Sequence, residues 1–172
     1  MEIEVERLSH WGRVAFAAKC ARRVQPFFTR AWPEASDGLR QSIEKAIQLA
    51  ERSVASGRAC DGLAEAALIA GVTAGTPLAY HLYPTREWEK PETPPADIDS
   101  AELASLSVKP AEMAANAALA SPEKSVEHVA QAYRFTLNAI EHADQWGLIE
   151  LIELDFLECL RSFPRRPWWK FW

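Results

Sequence analysis

Apolar residues recur along this chain at steps of three and four, the period of a helix buried on one side. Val14, Ala17, Ala21, Val24 and Phe28 form a first stripe, widened by Phe16, Cys20 and Phe27. Ser9 stands where a cap belongs, and Arg13, Lys19, Arg22, Arg23 and Arg30 carry the charge. Pro26 falls inside the pattern and predicts a kink or an end near Gln25. A second stripe runs through Leu39, Ile43, Ala46, Ile47, Ala50 and Val54, with Asp37 as the expected cap and Gly57 as the stop. A third, alanine-rich helix is expected from Asp61 through Val72, weakened at its end by Gly71 and Gly75.

Residues 76–99 read as an irregular, proline-rich connection, with room for one short turn or helix at Ala79–Tyr83, between helices in residues 1–75 and helices in residues 100–163. Ser100 is expected to cap one helix and Pro110 to open the next. Ser121-Pro122-Glu123 joins a cap, a first-turn proline and a carboxylate at the positive helix end. That helix should run to about Ala143 along Val126, Val129, Ala130, Tyr133, Leu137 and Ile140. From Leu148 to Phe163 the apolar positions lie almost all round, which predicts a central helix touched on several sides. No alternating strand pattern of useful length occurs. The expected fold is a single all-α domain over 1–172, a compact bundle of six or seven helices, followed by a Trp-rich tail at 164–172.

Composition supports that reading. Of 172 residues 29 are alanine and only 7 glycine, which favours helices that pack closely. Hydrophobic residues at 48% and charged residues at 25% exclude collagen-like and disordered classes. Cys20, Cys60 and Cys159 are isolated and odd in number, with no C-x-x-C pair for zinc or redox chemistry. They suit small buried positions in a reducing cytoplasm. The acidic start does not resemble a secretory signal, and the run Ala66–Ala74 is far shorter than the ~20 residues of a membrane span.

Charge is unevenly distributed. Residues 1–60 hold ten Lys/Arg against seven Asp/Glu, whereas residues 61–162 hold six against seventeen. The last ten residues carry three bases and no acid. An acidic middle argues against nucleic acid, whose binding rests on phosphate neutralisation. It suits either a solvated surface or a basic protein partner.

Candidate chemistry is sparse. The stretch Gly71–Thr76 lacks the Lys-Ser/Thr of a phosphate loop and a preceding strand, and no G-x-S-x-G occurs. His128 and His142 each follow a glutamate, but they stand fourteen residues apart, ~21 Å along one helix. They cannot share a metal without partners from elsewhere, such as His81 or Glu112. Asp97-Ile98-Asp99 reads as a helix start. Asp155 falls in the most apolar helix and must be paired, with Arg22 or Arg23 as its expected partner. No acid, base and nucleophile set emerges, so no catalytic residue, metal or cofactor is expected.

For partner contact the expected residues are Glu141, Asp144, Trp146 and Glu150, with Trp168, Trp169 and Trp172 of the tail. The tail mixes bases with aromatics and suits back-folding over the core, partner contact or, less well given the acidic body, a membrane surface.

The stretches VAFAAKCARRVQPFF, SIEKAIQLAERSVASG, SPEKSVEHVAQAYRFTLNAIEHA and LIELDFLECL, in this order, resemble all-helical immunity proteins of bacterial polymorphic-toxin systems. The resemblance covers roughly residues 10–58 and 121–160. It implies an all-helical, non-catalytic cytoplasmic protein that neutralises a partner toxin, with no catalytic residues to carry over. A helical adaptor of a larger assembly and a metal-dependent helical-bundle hydrolase are the alternatives.

Overall fold

A computed structural model describes residues 3–82 and 93–163. Among them are a 3₁₀ turn, Val5–Arg7, and six α-helices: α1 His10–Ala31, α2 Asp37–Ser56, α3 Leu63–Leu82, α4 Ile98–Leu119, α5 Pro122–His142 and α6 Leu148–Ser162. The described residues contain no strand, and the fold is all-α. Trp168, Trp169 and Trp172 lie outside the described residues, as does the rest of 164–172.

Helix α4 is the central element, packed against α1, α2, α3 and α5. Its sequence explains that position. Ala101, Ala104, Val108, Ala111, Ala114, Ala115, Ala117 and Ala118 are buried around it, and side chains this small let four helices approach at once. The core is continuous across all six helices, and its largest fully buried side chains include Trp32, Phe16, Phe28 and Phe156. Each such group contributes roughly 1.5–3 kcal/mol on burial. The Trp32 indole N–H is satisfied by the Thr93 carbonyl at 2.7 Å.

Several boundaries differ from the sequence expectation. Helix α1 continues through Pro26 to Ala31, because the buried stripe of Val24, Phe27 and Phe28 on its last turns outweighs the lost backbone hydrogen bond. Ser36, not Asp37, caps α2 by accepting the Leu39 N–H. Gly57 ends it in a left-handed conformation at φ 66°, as its sequence position implies. Helix α3 passes through Gly71, Gly75 and Pro77 and reaches Leu82, so residues 76–82 are helical rather than irregular. Burial of Thr73, Ala74 and Pro77 carries it across. Asp97 caps α4 by accepting the Ser100 N–H at 2.7 Å, and α4 is one helix with Pro110 inside it, not two. Ser121 and Pro122 start α5 as expected.

Helix α3 is, by length and composition, the one helix among the described residues that could cross a membrane. In this structure seven of its residues, from Leu63 to Pro77, are buried in the bundle.

The largest departure is α6. It is peripheral, not central. It runs antiparallel along α1, Gly12 lying by Phe163 and Arg23 by Asp155, and touches α5 only slightly. Ile152, Asp155, Phe156 and Cys159 are buried, while Leu151 and Leu154 are exposed. Phe156 meets Phe16 edge-on at 5.3 Å, and Phe163 lies against Gly12, where an added Cβ would come within 2.9 Å of it.

Candidate functional site

Helix α5 ends in two backbone bonds that reverse the chain. The Asp144 N–H reaches the Glu141 carbonyl and the Gln145 N–H reaches the Ile140 carbonyl, each at 3.0 Å. This is the Schellman arrangement, which calls for a left-handed residue and normally employs glycine. Asp144 occupies it at φ 52°, the one non-glycine residue with positive φ among those described. The geometry aims its carboxylate at the following turn, where Oδ1 accepts the Trp146 indole N–H at 2.9 Å. Trp146 is thus held in place while 54% exposed. Gly147 then starts α6 without a side-chain cap.

From Phe135 to Leu160 the chain has six Asp/Glu and no Lys or Arg. The structure sorts those acids. Asp155 is buried, accepting from Arg23 Nε at 2.9 Å and Nη2 at 3.2 Å, and from Lys19 at 3.4 Å. Glu158 takes a second bond from Lys19 at 3.0 Å. Glu141, Asp144 and Glu150 are exposed around Trp146. His142 joins this corner to the start of α4, its Nε2 lying 3.1 Å from the Asp99 carbonyl. Asp97 and Asp99 therefore border the same end, lining an open cleft of about 520 Å³ with Arg30 and His142. The bonded Ser100 N–H holds the Asp97 carboxyl below the ordinary carboxylate range.

Arg22 does not pair with Asp155. It bonds Glu44 and Glu51 of α2 instead. Consecutive helical residues diverge by ~100°, so an Arg pair serves two neighbours: Arg22 ties α1 to α2, and Arg23 ties α1 to α6. Lys19, one turn earlier on the α6 side, is the partner that sequence reasoning missed, although its spacing of four from Arg23 is visible in the chain. Arg13 belongs to the buried set as well. It is only 3% exposed and donates to the carbonyls of Val5, Glu6 and Pro122, locking the N-terminal turn onto the start of α5.

His81, Glu112, His128 and His142 are not gathered into a metal-ligand set, and no three such groups converge among the described residues. Glu112 pairs with Lys109 at 3.0 Å. All three cysteines are free; Cys20 and Cys159 are buried and Cys60 partly so. Desolvation raises the Cys20 thiol well above its ordinary range and pushes Cys159 up to about 12.

No protein-family model, curated protein or solved structure matches the chain.

Proposed function

We propose that this chain is a non-catalytic, cytoplasmic protein-binding module of the bacterial immunity type, which neutralises a basic partner toxin through the acidic corner of α5 and α6. One observation carries the reading. A base-free acidic run folds so that Asp155 is consumed internally while Glu141, Asp144 and Glu150 stay exposed around a fixed Trp146. Long-range attraction from such a corner speeds encounter with a basic surface, and a central aromatic anchor slows dissociation.

A helical adaptor is the second reading. Its support is a separate apolar face on α3, where Leu68, Val72 and Leu82 are each more than 60% exposed.

The test is association with a basic toxin domain encoded beside this protein, followed by stopped-flow at rising salt. The on-rate should fall as salt rises and should drop further in Glu141→Lys/Glu150→Lys. An on-rate indifferent to both salt and charge reversal would defeat the immunity reading.

A further inference from the structure

Helix α6 buries one side and leaves the opposite side uncovered. Successive residues rotate by ~100°, which places Glu150, Leu154 and Glu158 on one outward ridge with Leu151 beside it, while Trp146 stands in the turn just before the helix. The exposures follow that wheel. Leu154 is 60% exposed and Leu151 37%, whereas Ile152 and Phe156 on the other side are 1% exposed. The face thus has an apolar strip, Leu151–Leu154 with Trp146 just before the helix, flanked by the exposed carboxylates of Asp144 and Glu150. Its bases are few. Lys19 is already engaged with Asp155 and Glu158, and Arg161 stands at the far end of the helix.

The strip has the dimensions of a helix partner. Fifteen residues of α6 extend ~22 Å, and Leu151 and Leu154, spaced by three, form a ridge that a second helix accepts in its groove, with the exposed Trp146 at the start of the helix. The charge pattern then selects which helix. An acidic or neutral amphipathic helix would set like charges or unpaired carboxylates against its own flanks, whereas Lys or Arg beside its apolar stripe would meet Glu150 and Asp144. Trp146 is already fixed by Asp144, so little side-chain freedom is lost when it is covered.

We infer that the outer face of α6 is a docking site for a basic amphipathic helix of the partner, with Trp146, Leu151 and Leu154 as its contacts and Glu150 as its charge selector. The inference rests on the immunity reading for the partner's identity but not for the surface itself.

The probe is the labelled 14-residue peptide KLLKLLLKLLKLLK, titrated by fluorescence anisotropy into the full chain. Controls are the same peptide with every Lys replaced by Glu, and an alternating Leu-Lys peptide that cannot form the helical stripe. Only the basic helical peptide should bind, and its affinity should fall at least tenfold in Leu154→Ser and in Trp146→Ala. Glu150→Lys should weaken binding and flatten its salt dependence. Glu65→Lys, the same charge change on α3, should leave binding within twofold of the parent. Equal loss in Glu65→Lys, or no loss in Leu154→Ser and Trp146→Ala, would overturn the inference. Self-association abolished by Leu154→Ser would assign the face to a second copy and overturn it too. So would peptide binding that tightens when residues 164–172 are removed, which would make that segment the occupant. Salt-dependent toxin association that survives Leu154→Ser unchanged would leave the immunity reading standing while this inference falls. Peptide docking on α6 without any toxin association would do the reverse.

Discussion

Asp155 is buried, while the side chains of its partners Arg23 and Lys19 are each about a third exposed. Losing a partner therefore matters more to the carboxylate than losing the carboxylate matters to its partners. Arg23→Met leaves Asp155 with Lys19 alone and should cost about 2 kcal/mol in urea denaturation. Arg22→Met breaks half-exposed pairs with Glu44 and Glu51 and should cost no more than about 1 kcal/mol. The second variant also carries a pH signature. The hydrogen bond from Arg22 holds the Glu44 carboxyl down at about 2. A depressed carboxyl contributes stability that is complete above its unfolded pKa of ~4.5 and is lost as pH falls toward the folded value. The parent and Arg22→Met stability curves should thus differ at pH 6 and converge as pH falls from about 4.5 to about 2. Asp144 separates stability from binding. A non-glycine residue in the left-handed region carries roughly 1 kcal/mol of strain. Asp144→Gly should raise the urea midpoint, while releasing the Trp146 indole and weakening any partner held there.

Within the helices, side-chain size decides how close neighbours come. Ala111 is fully buried where α4 meets other helices. Ala111→Leu should destabilise by about 1–3 kcal/mol through overpacking, with a lower thermal midpoint by circular dichroism. Gly75 lies in the middle of α3, and a Cβ added there meets nothing within 4 Å. Gly75→Ala should stabilise by about 0.5–1 kcal/mol, since the substitution removes glycine's backbone entropy cost at no steric expense. The starts of α1 and α5 were legible along the chain because capping is local, whereas α2 and α4 are capped by Ser36 and Asp97 rather than Asp37 and Ser100. Ser9, Ser121 and Pro122 stand where their side chains or rings suit a first turn. Helix continuations were less legible. Pro26 read as a kink or an end, Pro77 as a break and Pro110 as the first turn of a new helix, yet each lies inside one helix. A proline's local penalty is visible in the sequence; the burial that offsets it comes from other helices and is not.

At the level of the whole bundle, stability should be graded. Helix α4 is enclosed by four helices, whereas α6 rests on α1 with little other support. Native-state hydrogen exchange should show α6 amides opening at lower free energy than those of α4, whose slowest amides should report global unfolding. Uniform protection of both would contradict that gradient. The arrangement also separates two surfaces: the acidic corner at Trp146 and the apolar outer face of α3.

The chain alone determined what depends on period, composition and local capping: an all-α fold, the buried stripe of α1, most of that of α2 but only Val129 and Ile140 of that expected for α5, and the need for Asp155 to find a cation. These properties are carried by residues within a few positions of one another, and the physics that reads them is equally short-ranged. Only tertiary structure decided which of two adjacent arginines meets Asp155, because that depends on which neighbour each side of α1 faces. It likewise decided that α6 sits at the edge. Apolar residues all round a helix say that burial is favourable on every side, but not how many sides the remaining helices can cover. With α4 filling the centre, α6 was left with one covered side. Leu151 and Leu154, which the sequence assigns to the core, became instead the apolar strip beside Trp146 and Glu150.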